Sequence, residues 1–496
     1  MPLIRKELIG IALNRATSLI DFCIHNDINK QVEFMKQIVY NDNSLNKSEI
    51  KKAIKILTKD LDYYKVLYKE GEKRICENCK EECLATYYCE YCIRKFLIKN
   101  FSIWTSNNNG IDNLIKNCQI GTLSPKKIIE WIPYDKLRNI NYLTRGGFSE
   151  IYEADWIDGC FHKWDPKKKE LIRSGNIKVI LKRLQNVESA DRHWFEEAET
   201  HSNISSNKRP VIVQCYGLTR DENKYYLVMA KMDTDLRNYL KQNKSLTWKE
   251  RISIVSNIIN SLYIIHNEKA IHRDLHSGNI LYSKKIDYWY ISDFGFCGPA
   301  DKPLKTIYGN LPYVAPEVLV GRKYTFASDI YSIAILMWEM SSGRPPFQKY
   351  YHNYELAMNI VNGMRPKIVP ETPLEYENLM KQCWDADPLK RPDIDTLLIK
   401  IREIKKSLYH IIPDELMIGD TKDPEYLSLA QLFKLISQQV DERVYENNSS
   451  SKLYDFEGLP EPKNATEEEQ EVFHSKPTDF IVPHSLNDIH KSSIAT

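Results

Sequence analysis

Near its middle the chain reads Ile271-His272-Arg273-Asp274-Leu275-His276-Ser277-Gly278-Asn279-Ile280-Leu281, and this stretch decides how the rest is interpreted. It places the carboxylate of Asp274 five positions before the amide of Asn279. Downstream, a second carboxylate stands next to a glycine in Ile291-Ser292-Asp293-Phe294-Gly295. An acid that orients a hydroxyl, together with an amide and a second acid that bind metal ions, is what phosphoryl transfer from a nucleotide requires.

A third motif, Ala315-Pro316-Glu317, follows in the same order. With these motifs in sequence, the chain resembles the eukaryotic protein kinase family over roughly Leu137 to Ile404. The resemblance implies an α+β, bilobal protein kinase fold with a small β-rich N-lobe and a large helical C-lobe. It also implies ATP and Mg²⁺ as cofactors and proteins as substrates. Within the family, the chain is most similar to the tyrosine-kinase-like branch and to a lineage-expanded fungal set with an N-terminal paired-CxxC segment.

The resemblance gives each polar residue of these motifs a role. Asp274 is implied to orient the substrate hydroxyl and to accept its proton. Asn279 and Asp293 are implied to bind Mg²⁺ through oxygen atoms, the ligands this ion prefers. Serine/threonine kinases usually carry a lysine where this chain has His276 and a threonine where it has Asn310. These two positions therefore do not indicate a serine/threonine kinase. Transfer to serine or threonine, rather than tyrosine, is expected because the chain is most similar to the tyrosine-kinase-like branch, whose members mostly phosphorylate serine or threonine.

The nucleotide contacts are also implied by the resemblance. An apolar strand ends in Lys182, which matches the lysine that binds the α- and β-phosphates, and its partner is expected to be Glu197, with Glu196 as the alternative. The turn at 144–149 resembles the glycine-rich loop that covers the phosphates. The expected nucleotide-binding residues are Leu143, Gly146, Gly147, Ile151, Lys182, Ala230 and Met232.

The glycine-rich turn departs from the family pattern, because only the second of its three glycines is present, as Gly146. Thr144 and Ser149 occupy the other two positions. This keeps a second interpretation open, a pseudokinase scaffold that binds nucleotide and partners without efficient turnover. The retained lysine, aspartates and asparagine favour an active ATP-dependent protein kinase.

Five of the eleven cysteines fall within one short stretch, and four of them form two CxxC pairs: Cys76, Cys79, Cys89 and Cys92. Two such pairs can present four thiolates to one tetrahedral zinc ion. Cys83 is a fifth thiol that could replace one ligand. Reduced cysteines without a metal, a redox site and an RNA-binding segment are the alternatives.

The remainder of the chain is predicted from pattern and composition. Ile50, Ile54, Leu57 and Leu61 recur at helical spacing, which favours a packed helical bundle or, alternatively, a helix for dimerisation or for docking a protein partner. Residues 157–176 are predicted to be a solvated loop, and the acidic run 466–471 to be disordered. The predicted organisation is a helical N-terminal region (1–70), a paired-CxxC zinc-binding-like segment (71–105), a linker (106–136), a protein kinase domain (137–410) and a largely disordered tail (411–496).

Composition excludes some classes of protein. The formal net charge of +2 gives no electrostatic reason to expect binding to nucleic acid or to a membrane surface. Hydrophobic residues make up 42% of the chain, an ordinary globular value, yet no apolar run approaches the length of a spanning helix. The first residues lack the apolar stretch of a signal peptide. The sequence therefore predicts an intracellular, cytoplasmic protein.

Overall fold

The computed structural model describes residues 4–20, 24–25, 27–145, 149–183, 212–222, 224–284, 287–294, 298–299, 307–410 and 451–475. Helices and sheets are both present, which agrees with the α+β class expected from the sequence. Within the described residues, no helix is long and apolar enough to cross a membrane.

Three helices form the N-terminal part: α1 (Lys6–Ser18), α2 (Ile28–Tyr40) and α3 (Lys47–Tyr68). They share one apolar core, to which α3 contributes the predicted stripe through Leu57 and Leu61. Helix α3 begins with a capping box, in which the side chain of Asn46 accepts from the backbone N–H of Glu49 and the carboxylate of Glu49 accepts from that of Asn46. The start of α3 is therefore set by local sequence.

The cysteine-rich stretch folds as a short hairpin followed by a helix: β1 (Arg74–Ile75), β2 (Glu82–Cys83) and α4 (Glu90–Lys99). The residues predicted to form a linker, 106–136, contain α5 (Asn109–Ile120) and β3 (Glu130–Trp131). Ile111 and Ile115 of α5 are fully buried against Leu218 and Leu227 of the sheet described next. The apolar spacing along α5 gives it a face to bury, so this stretch is a packed part of the fold.

A six-stranded sheet runs in the order β3-β9-β10-β8-β5-β4. The strands not yet given are β4 (Leu137–Arg145), β5 (Glu150–Trp156), β8 (Ile177–Arg183), β9 (Cys215–Asp221) and β10 (Lys224–Ala230). Strand β3 pairs in parallel with β9, Glu130 lying opposite Gly217. A Cβ atom at Gly217 would lie 1.8 Å from the carbonyl oxygen of Glu130, so the approach of β3 depends on this glycine.

The insert between β5 and β8 is a hairpin, and the expectation of a solvated loop for 157–176 is wrong. Its strands are β6 (Phe161–Asp165) and β7 (Glu170–Arg173). Trp164 and Leu171 are buried in the same core as the cysteines, and the ring of Trp164 meets that of Phe96 edge-on. The three lysines at 167–169 that suggested a loop lie in the turn, while the apolar residues on either side pack inward.

The part that follows β10 is mostly helical. Its helices are α6 (Leu236–Gln242), α7 (Trp248–Asn267), α8 (Pro316–Leu319), α9 (Phe326–Ser342), α10 (Tyr354–Val361), α11 (Leu374–Cys383) and α12 (Ile394–His410). Its short strands are β11 (Thr234–Asp235), β12 (Ala270–Ile271), β13 (Ile280–Ser283), β14 (Tyr288–Ile291), β15 (Gly298–Pro299) and β16 (Ile307–Gly309). One large core joins these helices.

Residues 451–475, here called the C-terminal segment, contain β17 (Lys452–Tyr454) and α13 (Glu467–Ser475). Strand β17 pairs antiparallel with β16. The structure differs here from the largely disordered tail expected for 411–496, and the expectation of disorder at 466–471 is wrong. Thr466 and Glu469 exchange hydrogen bonds of 2.9 and 3.2 Å as a capping box, so the acidic run is the first turn of a helix.

Candidate active site

The loop that carries Asp274 is held in place by hydrogen bonds to the N-terminal end of helix α9. Both carboxylate oxygens of Asp329, in the first turn of α9, accept from the backbone N–H groups of His272 and Arg273, at 2.8 and 2.9 Å. His266 bonds the same carboxylate at 2.8 Å. Arg273 has a left-handed backbone (φ 69°), a conformation that costs energy in a non-glycine residue and is held here by these bonds. Asp274 is thereby fixed in a buried position.

The two expected metal ligands lie at the same end of the β13–β14 hairpin. The side-chain nitrogen of Asn279 donates to the backbone carbonyl of Asp274 at 2.9 Å, which turns its amide oxygen the other way. The backbone carbonyl of Asn279 accepts from the N–H of Ser292, at 2.9 Å, directly before Asp293. Asn279 and Asp293 are distant in sequence order but adjacent through this pairing.

Lys182 reaches Asp293 across the boundary between the sheet and the helical part. Its Nζ lies 2.7 Å from Oδ1 of Asp293, and the side chains are 9% and 34% exposed. The structure therefore brings together Lys182, Asp274, Asn279 and Asp293. Glu197 and Glu196, the expected partners of the lysine, lie outside the described residues.

The other expected nucleotide contacts are placed in part. Ile151 lies opposite Lys182 in the β5–β8 pair, and Leu143 is half exposed on β4. Ala230 ends β10, and its backbone N–H donates to the carbonyl of Gln214 at 2.9 Å, with Met232 two residues on. Gly146 and Gly147 lie outside the described residues.

The electrostatics of the site centre on Asp274. Burial, with the negative charge of Asp293, raises the pKa of Asp274 to about 7, although hydrogen bonds from Ser451, the Asn310 backbone and Tyr308 act in the opposite direction. A carboxylate with a pKa in this range can both accept and release a proton near neutral pH.

Two residues that contact Asp274, Ser451 and Tyr308, were not expected there from the sequence. The hydroxyl of Ser451 lies 2.7 Å from Oδ1 of Asp274 and 3.1 Å from Nε2 of His276. Tyr308, which is buried, also bonds both Asp274 and Ser451. Ser451 and Asp274 are 177 positions apart in the sequence, so no local pattern could have shown their contact.

The helical part also contains a buried ion pair. Arg391 forms two bonds with the carboxylate of Glu317, at 2.8 and 2.7 Å, and the side chains are 0% and 3% exposed. Arg391 donates further to the backbone carbonyls of Ala327 and Asp385. This pair ties the segment after β16 to the start of α12.

The four cysteines predicted to bind zinc come together. Their Sγ atoms all lie within 4.8 Å of one another, with Cys76 and Cys92 3.7 Å apart and Cys79 and Cys89 3.6 Å apart. Cys83 lies to one side, near Cys89 and Glu90. These four residues are called the cysteine cluster below.

Known proteins match the part of the chain that holds the active-site residues. The family described as protein tyrosine and serine/threonine kinase matches residues 137–401, more than half of the chain. The dual serine/threonine and tyrosine protein kinase of Mus musculus is 31% identical over 278 residues, which are 54% of this chain and 28% of that protein. The human protein of the same name is 32% identical over 262 residues, 50% of this chain and 26% of the relative.

A third similar protein is a RasGEF domain-containing serine/threonine-protein kinase of Dictyostelium discoideum. It is 25% identical over 291 residues, which cover 57% of this chain and 28% of the relative. The chain thus spans about a quarter of the length of each of these three proteins. Since the family match covers most of the sheet, the loop of Asp274 and the helical part, the chain belongs to the protein tyrosine and serine/threonine kinase family.

Proposed function

We propose that this protein is an ATP-dependent protein kinase that transfers the γ-phosphoryl group to serine or threonine, and less readily to tyrosine, of protein substrates. The observation that carries the proposal is the convergence of Lys182, Asp274, Asn279 and Asp293, described above, at the edge of the sheet. Each is a residue type that phosphoryl transfer needs: a cation for phosphate, an acid for the hydroxyl and oxygen ligands for metal.

The donor set fits magnesium. Asn279 directs its nitrogen to Asp274 and so presents its oxygen, and Asp293 keeps a third of its side chain exposed. Carboxylate and amide oxygens are suitable ligands for this hard ion. When bound, Mg²⁺ would supply charge neutralisation of the phosphates. Lys182 would bind the phosphates from above, and Leu143, Ile151, Ala230 and Met232 would line the nucleotide pocket.

The proposed proton acceptor is Asp274. It would orient the attacking hydroxyl by accepting its hydrogen bond and take the proton as the bond to phosphorus forms. The hydroxyl of Ser451 already lies 2.7 Å from this carboxylate, so an aliphatic hydroxyl can reach the proposed proton acceptor. Relatives named as serine/threonine kinases and as dual kinases are compatible with this preference. We place the chain, as a proposal, in the tyrosine-kinase-like branch.

The test is transfer of radiolabelled phosphate from ATP to a mixed serine, threonine and tyrosine peptide library by the purified full-length chain. Asp274→Asn should lower the turnover number by about 10²–10⁴-fold, the contribution usual for a positioned acid or base. Asp395→Asn, which removes an exposed carboxylate from α12, is the matched control and should leave the rate unchanged.

The alternative function is a pseudokinase scaffold, and His276 is the observation that favours it. His276 stands where a phosphate-binding lysine is usual. Its imidazole is neutral, because burial lowers the pKa of His276 to about 3. If the wild-type chain binds Mg-ATP by calorimetry while its label transfer equals that of Asp274→Asn, the scaffold is the correct function and the kinase proposal is wrong.

We also propose that the cysteine cluster holds one zinc ion. A tetrahedron with Zn–S bonds of about 2.3 Å has sulfur–sulfur edges of about 3.8 Å, close to the separations described. Burial raises the pKa of Cys92 to about 12 and also raises that of Cys89, so a bound cation is what would keep these sulfurs as thiolates.

Elemental analysis of the purified chain should find one zinc per molecule, and Cys89→Ser should remove it and lower the melting temperature. Cys118→Ser changes a cysteine on α5 outside the cluster and should keep the metal. A full-length chain that purifies without metal, and whose melting temperature does not respond to added zinc, would contradict this proposal.

A further inference from the structure

The C-terminal segment crosses the site at the point where a protein substrate would be expected. Its strand β17 pairs with β16, Lys452 lying opposite Gly309 and Tyr454 opposite Ile307. The residue that precedes β17 is Ser451, which is buried with its hydroxyl on Asp274. An extended peptide added to an exposed strand, with one side chain delivered into a pocket, is a common mode of peptide recognition.

The hydroxyl of Ser451 is also oriented. Nδ1 of His276 accepts from the backbone N–H of Gly278 at 3.1 Å, so in the neutral ring the proton is on Nε2. Nε2 therefore donates to Oγ of Ser451 at 3.1 Å, and Oγ in turn donates to Asp274. The hydroxyl of Ser451 is therefore held on Asp274 from the side of His276, and Tyr308 bonds it as well.

Docking of the segment extends well beyond the serine. The ring of Phe456 stacks on Tyr454, with centroids 5.3 Å apart, and meets Tyr354 of α10 edge-on. The side chain of Asn464 accepts from the N–H of Ala386 at 2.8 Å and donates to Asp385 at 2.9 Å. The side chains of Phe456 and Asn464 therefore hold the segment in place in addition to the backbone pairing of β17 with β16.

The helix at the end of the segment adds a further anchor. The side chain of Gln470 accepts from the backbone N–H of Arg365 at 3.1 Å and donates to the carbonyl of Gly363 at 2.6 Å. Phe473 packs on the large core. The segment is thus held at both ends and in its middle.

We propose that the C-terminal segment is the protein's own first substrate, that Ser451 receives the phosphoryl group within the same molecule, and that the segment excludes other protein substrates until it has done so. This inference rests on the proposed kinase function. The bond from Oγ of Ser451 to the γ-phosphorus forms as the bond from that phosphorus to the β–γ bridging oxygen breaks. The hydroxyl proton passes to Asp274, and the nucleoside diphosphate leaves.

The product of this step repels its own site. A phosphoserine carries about −1.5 to −2 charges near neutral pH. At residue 451 it would replace a hydroxyl that donates to Asp274, close to the second carboxylate, Asp293. Like charges held together in a buried site destabilise the contact, so transfer should release the segment and open the cleft to other proteins.

The first experiment maps phosphate by mass spectrometry after the purified full-length chain is incubated with Mg-ATP. Ser451 should be modified in wild type, with an initial rate per molecule that stays constant as the enzyme is diluted. Asp274→Asn should show no modification. Ser475→Ala, which removes an exposed hydroxyl at the end of α13, should be modified at Ser451 as in wild type.

The second experiment follows an exogenous serine peptide. Wild type should show a lag that preincubation with Mg-ATP abolishes, whereas Ser451→Ala should stay slow with or without preincubation. Phe456→Ser with Asn464→Ala weakens docking and should give the full rate without a lag.

The outcomes separate the two proposals. Peptide phosphorylation without modification of Ser451, or modification whose rate per molecule rises with enzyme concentration, overturns the inference and leaves the kinase function intact. Absence of both peptide and Ser451 phosphorylation, including in the docking variant, overturns the kinase function itself.

Discussion

Replacing Arg391 by methionine should lower the free energy of unfolding more than a surface substitution does, because it leaves the carboxylate of Glu317 buried without its partner. The two side chains of the pair are almost fully excluded from solvent, and Arg391 also satisfies the carbonyls of Ala327 and Asp385. Breaking a buried ion pair by removing one partner costs about 3–5 kcal/mol. We expect Arg391→Met to lower the free energy of unfolding by that amount.

The assay is urea-induced unfolding followed by circular dichroism, with the midpoint and slope compared with wild type. Removing both charges with Glu317→Leu and Arg391→Met should cost less than Arg391→Met alone, since neither charge of the pair remains. The carbonyls of Ala327 and Asp385 lose their donor in both variants, so this loss does not change the order. Glu377→Gln, which breaks a partly exposed pair with Lys381, is the control and should cost under about 1 kcal/mol. A cost for Arg391→Met no larger than the control, or a double variant equal to the sum of both singles, would refute this reasoning.

Two further substitutions test the sheet and its lysine. Lys182→Met should lower the turnover number in a kinase assay by about 10²–10³-fold, the effect of removing one phosphate-stabilising donor. Lys178 lies on the same strand with an exposed side chain, and Lys178→Met should leave the turnover number unchanged. Gly217→Ala would place a methyl group against the carbonyl of Glu130, displace β3 and lower the melting temperature. Gly121→Ala would meet only ordinary contacts, the nearest at 3.5 Å, and should have a smaller effect; equal shifts would contradict the role given to Gly217.

The active-site residues could be predicted from sequence because they lie in short motifs whose order is fixed. Asp274, Asn279 and Asp293 each belong to such a motif, and the structure places them together through one hairpin and one helix N-terminus. Glu317 also lies in such a motif, and the structure pairs it with Arg391. Their roles in catalysis remain predictions.

The packed hairpin at 161–173 and the helix at 467–475 were missed for a different reason. In both, charged residues dominated the composition while the structural signal lay in a few positions. Trp164 and Leu171 flank the lysine-rich turn, and Thr466 with Glu469 has the spacing of a capping box. Composition averages over a stretch, whereas burial and capping depend on individual side chains.

The position of Ser451 could not be predicted at all. Ser451 and Asp274 are separated in the sequence by most of the helical part of the chain. Ser451 also ends a serine- and asparagine-rich run, a composition typical of disorder. Only the assembled surface of β16, α10 and the loops around Arg365 and Asp385 gives the segment a place to bind.

The strand β3 and the helix α5 lie before residue 137, where the family match begins, yet they complete the sheet. A recombinant fragment cut at that boundary would expose Leu218 and Leu227 to water and leave the backbone of β9 open along one side. Unpaired, apolar edges of this kind promote strand-to-strand aggregation between molecules. The smallest soluble catalytic fragment should therefore begin before Asn109, and fragments that begin at Leu137 should precipitate or co-purify with chaperones.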